Sequence, residues 1–514
     1  MTIPFPWASM PYETLAVVDI GSNTSRVSVF RMSDDGHYQE VTDSRATLQL
    51  LRGLSSDEEK ASEAIESLMA ALRDFHAVAE AAGAGRTVAL ATYSVRSYPK
   101  AEDLVRRIRK EIGIEVQIID GRREAELAFL GAIYGTDVED GLLIDFGGGS
   151  IELASFRRRA LLRTWSLPLG ALLLNDRFLK DDPPSKSQVR RLQIHVRDTL
   201  LKAGIRPLKG RERLVATGGT VRNLAKVDRQ DRRYSMPQLH GYVLSRRRIK
   251  DLSRRLSALR RKEVAKFRGL NADRKDSIVG GALALLSLFR VLKAEEAVVS
   301  GQGLREGFAL STHMSVLPAP RSVREVAIES LVMRFSSWDE RAAQRRAALA
   351  ASLQAALDRA AAPDIQESLL HAARLVDIGK SIDYLGHFHH SASIVLATDL
   401  AGFSHRMVAL LAAILHAADR RRFDWREYKP WVSASDKSSL KKAGLILALA
   451  DEVEKRLPPR GAIPAAFHGK RRTTIGLHLP LPYGGRLAAL AERFPDVFGS
   501  ELRFEQGGIH GPAA

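Results

Sequence analysis

The patterned part of the chain begins with a short apolar run, Leu15 to Ile20, ending in Asp19-Ile20-Gly21-Ser22-Asn23-Thr24, and strand-like alternation resumes over 27–32. That reads as a strand, a polar turn and a return strand. Ser56, with Glu59 three residues on, gives a capping-box signal, and Ile65, Leu68, Met69, Leu72 and Phe75 then recur at helical spacing. An amphipathic helix is predicted there. Strand-like 87–91, helical 102–111, strand-like 114–119 and helical 122–134 follow in alternation, which predicts an α/β domain.

The pattern restarts at Leu142-Leu143-Ile144, runs into Asp145-Phe146-Gly147-Gly148-Gly149-Ser150 and returns as a strand over 151–156. Asp19 and Asp145 each close an apolar strand and open a turn of small residues, as expected if two similar α/β halves face one another across a cleft. A third such turn, Thr217-Gly218-Gly219-Thr220, follows apolar 214–216. The prolines of Ser315-Val316-Leu317-Pro318-Ala319-Pro320 interrupt helix and strand alike, so a domain boundary is expected near Ser315. From there to about Ala450, Ala, Leu and Arg recur at helical spacing, which predicts a separate helical domain. Thr473-Thr474-Ile475-Gly476-Leu477-His478-Leu479 reads as a strand in a small terminal module.

Composition narrows the chemistry. With no cysteine, disulfides, thiolate zinc sites and cysteine nucleophiles are excluded and a reducing cytoplasm fits. Residues 1–12 lack a basic segment followed by an apolar one, and no apolar run reaches membrane-spanning length, so a soluble, unprocessed protein is expected. The net charge of +18 implies attraction for polyanions. Basic clusters at 157–159, 246–250 and 260–262 read as solvated surface. Aromatics make up only 6% and scarcely interleave with them, so no stacking platform for nucleic acid is expected.

Glycine-rich turns at strand ends expose backbone N–H groups to phosphate, and Ser or Thr hydroxyls add donors. An aspartate at a strand end suits Mg²⁺, which takes few carboxylates and keeps waters that phosphate oxygens displace. Asp145 and Glu152 flank one glycine turn, so a hairpin brings both toward one side, and Glu124, just after Gly121, is a third acid able to face it. Metal-assisted hydrolysis needs such a base and a cation opposite the developing charge. Plainer roles exist: Asp19 as a turn cap, Glu124 as a complement to a helix N-terminus.

The chain resembles the exopolyphosphatase and guanosine pentaphosphate phosphatase family of the actin-like superfamily. The resemblance is carried in order by Val18 through Thr24, Ala91-Thr92 with Arg96, Gly121 through Glu126 and Asp145 through Leu153. It continues through Leu167-Pro168-Leu169-Gly170, Gly218-Gly219-Thr220, Leu239-His240-Gly241-Tyr242 and Ser300-Gly301-Gln302-Gly303-Leu304-Arg305-Glu306-Gly307.

It implies two actin-like (ribonuclease H-like) α/β domains over 1–135 and 136–314, facing across a cleft. A mainly helical HD-like domain over 315–450 and a C-terminal module over 451–514 would follow. It implies Glu124 as the base for water, and Asp145 and Glu152 as Mg²⁺-associated acids. Phosphate contacts would come from Gly21, Ser22, Asn23, Thr24, Arg26, Arg96, Gly147, Gly148, Gly149, Ser150, Gly218, Gly219, Thr220 and Arg274. Lys100, Arg122 and Arg123 depart from the family's pattern at the site entrance.

In the helical region, His371, Asp377 and the run His387-Phe388-His389-His390 resemble the HD-like domain. Val376 stands where an active HD pair has His, so an independent metal phosphodiesterase is not expected there.

The implied activity is Mg²⁺-dependent, processive release of terminal phosphate from inorganic polyphosphate by a homodimeric cytoplasmic enzyme. Hydrolysis of guanosine pentaphosphate stands as its nearest alternative. A nucleotide-binding switch or kinase of the same fold is a further one, as is a basic scaffold that binds nucleic acid without catalysis.

Overall fold

The computed structural model describes residues 12–33, 37–419, 423–457, 466–468, 472–477 and 485–506. The amino-terminal stretch 1–11 and His478-Leu479, both interpreted above, lie outside them. The described residues divide into two compact units, one up to Val326 and one from Ala327.

The first unit contains two sheets built to one plan. Strands β1 (Glu13–Ile20), β2 (Thr24–Met32), β3 (Tyr38–Thr47), β4 (Arg86–Ala91) and β5 (Glu115–Ile118) lie in the order β3-β2-β1-β4-β5. The second sheet comprises β6 (Gly141–Phe146), β7 (Ile151–Arg157), β8 (Ala160–Leu167), β9 (Arg213–Thr217), β10 (Val243–Ser245) and β11 (Glu296–Val299), in the order β10-β11-β9-β6-β7-β8. In each, the first strand pairs antiparallel with the second and parallel with the fourth. The apparent restart of the hydrophobic pattern is therefore a repeat of topology.

Strand β1 is buried on both faces, the signature of a central strand. On one side Leu68, Leu72 and Phe75 of the helix Glu58–Ala81 pack on Ala16, Val18 and Ile20. On the other, Leu15, Val17, Val88 and Leu90 meet Leu127, Leu304 and Phe308, brought by the helices Gly121–Tyr134 and Leu304–Ser311, which also pack on each other. In the second sheet the helix Ile278–Leu292 is apolar nearly all round and buried within the core.

The helix Glu58–Ala81 corrects one local expectation. Its N-cap is Asp57, whose carboxylate accepts the Lys60 N–H at 3.0 Å. Ser56 is unavailable because its hydroxyl donates to the Arg52 carbonyl at 2.7 Å.

The second unit is mainly helical, with helices that include Glu340–Leu357, Pro363–Leu375, His405–Asp419 and Lys437–Glu454. Short strands Ala466–His468, Arg472–Leu477 and Glu501–Gln506 form a further sheet, so 473–477 are extended as expected. No helix among the described residues is long and apolar enough to cross a membrane.

Candidate active site

The β1–β2 and β6–β7 turns are held by the same device. The carbonyls of Ser22 and Asn23 accept N–H groups from Leu48, Gln49 and Leu51 (2.9–3.1 Å), where a short helix starts. Those of Gly147, Gly148 and Gly149 accept from Ala171, Leu172 and Gly170 (2.9–3.2 Å) at the start of the helix Ala171–Phe178. With the carbonyls drawn off, the amides of Ser22, Asn23, Gly148 and Gly149 have no backbone acceptor among the described residues, and they belong to the lining of one pocket of about 130 Å³. Such N–H groups, arranged around a concavity, suit an anion.

The third turn brings the N-terminus of the helix Gly219–Asp231 to the same pocket, where unsatisfied amides and the helix dipole favour negative charge. Gly218 makes this approach possible. Its φ is +94°, and a Cβ there would stand 2.5 Å from the Phe146 carbonyl oxygen and 2.8 Å from Asp145 Oδ1.

The acids converge on the pocket from different elements. Asp19 and Asp145 each occupy the penultimate position of a central strand; Asp19 lies opposite Arg26 and Asp145 opposite Glu152. The repeat thus puts a cation on one return strand and a carboxylate at the matching place on the other. Glu124 sits in the first turn of the helix Gly121–Tyr134, capped by Asp120, which accepts the Arg123 N–H at 2.7 Å. Gly121 lets this helix close onto β8: a Cβ there would lie 2.3 Å from Ser166 Cβ. Ser166 in turn donates its hydroxyl to Glu152 Oε1 at 2.9 Å, so one contact sets both Glu124 and Glu152.

Packing carboxylates into a shared pocket changes their acidity. Burial raises Asp19 and Asp145 to about 6, with Asp145 adding to the rise at Asp19. Burial raises Glu124 to about 8 against the pull of Arg96, whose Nη1 is 3.1 Å from Glu124 Oε2. Glu152 is also pushed well above the ordinary range, by burial and then by the charge of Glu124. Glu306 goes the other way: burial raises it, but Arg305 and the backbone amides of Glu306 and Gly303 outweigh that and hold it low. Burial lowers Arg222 to about 10, and its guanidinium donates to the Gly301 carbonyl at 3.3 Å.

The residues singled out by sequence are almost all gathered here. Glu124, Asp145 and Glu152 line the pocket, as do Gly21, Ser22, Asn23, Thr24, Arg26, Gly147, Gly148, Gly149, Ser150, Gly218, Gly219 and Arg274. Arg26 also pairs with Asp43 at 2.7 Å, and Arg274 donates to Thr24 Oγ1 at 3.3 Å. Arg96 lies behind the lining and reaches the site through Glu124. Thr220 does not face the pocket. Its side chain is buried toward the helix Ile278–Leu292, where a Cβ on Gly281 would stand 2.5 Å from Thr220 Cγ2, because the first helical turn rotates it toward the core.

Tyr93, Arg222, Arg305 and Glu306 also line the pocket and were given no site role from sequence; Asp19, read there as a strand-end aspartate that suits Mg²⁺ or caps a turn, lines it too. Arg305 and Glu306 lie in a glycine-flanked run that was legible as a motif; Arg222 had no signal beyond its place one turn into the third-turn helix.

In the helical unit, Asp377 is engaged by Arg346 at 2.9 Å and Lys380 at 2.5 Å. Arg346 is 1% exposed and reaches Asp451 at 3.0 Å. Asp377 is thus neutralised by cations of the chain itself. Among the described residues of this helical unit no three His, Asp or Glu side chains are drawn together as a metal cluster.

Comparison with known proteins agrees with this architecture. The sequence model of the Ppx/GppA phosphatase family matches residues 29–315, and that of Ppx/GppA phosphatase, domain III, matches 323–458. Exopolyphosphatase 1 of Mycobacterium tuberculosis is 31% identical over 300 residues, 58% of this chain and 87% of the relative. The Mycobacterium leprae protein of that name is 30% identical, over 58% and 88%. Among solved structures, an exopolyphosphatase from Cytophaga hutchinsonii superposes with a TM-score of 0.54 at 26% identity, over 59% of this chain and 98% of that one. A Ppx/GppA family member from Aquifex aeolicus does so at 0.51, also with 26% identity and the same coverage. The family match runs over more than half of the chain, and this protein is a phosphatase of the Ppx/GppA family.

Proposed function

We propose that the enzyme releases terminal orthophosphate from inorganic polyphosphate with the help of Mg²⁺. The observation that carries this reading is the convergence of Glu124, Asp145 and Glu152 with three amide-bearing turns on one pocket. Apolar bulk in its lining comes only from Tyr93, Phe146 and Leu304. That supports a bare phosphate chain over a substrate whose purine would need an apolar slot, and the names of the mycobacterial relatives point the same way.

The residues present fit a divalent cation. Five carboxylates line the pocket, and four of them, Asp19, Glu124, Asp145 and Glu152, are raised by burial and by neighbouring carboxylates, so these four favour a bound positive charge. Mg²⁺ needs only one or two of them, since waters and substrate phosphates complete its shell. Asp145 and Glu152 would hold it, and when bound it neutralises charge on the phosphate oxygens.

Amides of Ser22, Asn23, Gly148, Gly149 and the Gly219 helix start donate to oxygens of the terminal phosphate, and Arg222 and Arg274 oppose its negative charge. Glu124 removes a proton from a water in line with the terminal phosphorus. The new P–O bond forms as the bond to the bridging oxygen breaks. Orthophosphate leaves with a polyphosphate one unit shorter.

Glu124→Gln keeps the shape of the side chain and removes the base. Orthophosphate release from polyphosphate should fall by a factor of about 10²–10⁴, with the melting temperature unchanged or raised. Wild-type turnover in the variant sinks the assignment, and faster wild-type turnover of guanosine pentaphosphate than of polyphosphate favours the alternative substrate.

A further inference from the structure

The helical unit has a cavity of its own, of about 440 Å³. Sites for small organic ligands run to about 300–1,000 Å³, so it is large enough for a nucleotide. Its lining has an apolar part, Tyr384 and Leu385, and a charged part, Glu452, Lys455, Arg456 and Arg486.

The charged part is built where two helices meet. Glu452 stands in the last turn of the helix Lys437–Glu454, Lys455 and Arg456 follow it directly, and Arg486 opens the helix Arg486–Phe498, which packs on the first. Glu452 is buried and takes Lys455 at 3.0 Å and Arg456 at 2.7 Å, with Arg486 at 3.7 Å. One buried carboxylate thus gathers three cations. Lys455 also reaches Asp451 at 2.7 Å, but Arg346 already holds that carboxylate. Arg486 has Glu452 and Asp419 each at 3.7 Å, beyond hydrogen-bonding reach, and Arg456 uses only Nη1, on Glu452. A guanidinium carries five N–H donors in a planar fork that matches phosphate, so both arginines keep donors for a ligand.

The apolar part is presented to solvent. Tyr384 is 63% and Leu385 81% exposed, just ahead of the helix His387–Ala397. The Tyr384 carbonyl accepts from His387 Nδ1 at 2.8 Å, which fixes the backbone beneath the ring. His387 is itself buried in the lining, and its Nε2 stands 3.7 Å from Asp451 with no hydrogen bond. A buried polar atom left unpaired is costly, and a polar group of a bound ligand would relieve it.

We propose that this cavity binds a purine nucleotide, with its phosphates on Arg456, Arg486 and Lys455 and its base against Tyr384 and Leu385. An inorganic phosphate chain would engage the cations and leave the exposed ring and Leu385 without a role, whereas a purine covers both and stacks on the aromatic face. This site lies in the helical unit alone and is independent of which substrate the catalytic pocket hydrolyses.

The test is calorimetric titration of the full chain, without substrate, with ATP and with GTP. One nucleotide per chain should bind. Tyr384→Ala should weaken that binding about tenfold, and Tyr384→Trp, with a wider stacking face, should retain it. The double variant Arg456→Gln, Arg486→Gln should weaken it about tenfold or more. Arg222→Gln, which alters the catalytic pocket, should leave it unchanged. Tyr384 is largely exposed, so its variants keep the fold even where the arginine variants melt early. The proposal is overturned if neither nucleotide binds, or if Arg222→Gln abolishes binding while the cavity variants do not. It is equally overturned if tripolyphosphate displaces the nucleotide at equal concentration and its own binding is weakened by the arginine variants alone. A change in sedimentation of Tyr384→Ala would make the apolar part an interface between copies of the chain, and would overturn it too.

Discussion

Arg96 Nη1 lies 3.1 Å from Glu124 Oε2 and 2.5 Å from the Ile119 carbonyl oxygen, so the guanidinium is fixed to the strand end that precedes the Glu124 helix. It opposes the burial that raises the Glu124 carboxyl to about 8. A base must be deprotonated to act, so kcat/KM should climb with pH and level off above about 8. Arg96→Ala removes the opposing charge and should move that limb upward, with at least a tenfold loss at about pH 7; Arg96→Lys should recover part of it. Rate profiles between about pH 6 and 9 decide, and an unmoved limb counts against the pair.

Stability should respond to the same acids with a definite sign. Asp19 and Asp145 titrate at about 6 against 3.8 for an ordinary aspartate, and Glu124 at about 8 against 4.5. The folded protein binds more protons than the unfolded chain between those limits, so these groups favour folding most at low pH and lose that contribution as the pH rises to about 8. Asp145→Asn should therefore melt higher than wild type at about pH 8, by about 1–3 kcal/mol, and the gap should close toward about pH 4. A variant less stable at about pH 8 contradicts the assignment.

Gly121→Ala tests how Glu124 is placed. The added methyl meets Ser166, the donor to Glu152, and must push the helix start away from β8. Displacements of this size at a reacting group cost about 10²-fold. Circular dichroism should be unchanged while kcat falls, and an unaltered kcat would show that the contact does not position the acids.

Arg346→Ala leaves Asp377 and Asp451 buried without their guanidinium. Removing one partner of such a network costs about 3–5 kcal/mol. The midpoint of urea unfolding of the helical unit should drop accordingly, and a shift below about 1 kcal/mol would mean that water or Lys455 takes over.

The central strands were legible because burial on both faces leaves near-continuous apolar runs. The edge strands β3 and β8 were not: Tyr38–Thr47 and Ala160–Leu167 are half exposed and carry the mixed polar pattern that edges tolerate. Of the site, the three turns and Glu124 stood out because strand ends and small residues mark them locally. Arg222 looked like an ordinary charged residue on a helix.

The sequence by itself determined the two strand–turn–strand units that end in Asp19 and Asp145, the third glycine turn and the helix that starts at Gly121, since each follows from periodicity and turn chemistry within a few residues. Only the tertiary structure decided where side chains point. It turned Thr220 into the core, tied Arg96 to Glu124 and set Ser166 on Glu152. It also drew the turn carbonyls onto helix starts so that the amides were left for an anion. These relations join residues far apart in the chain, and they are fixed by packing between elements, which local pattern does not encode.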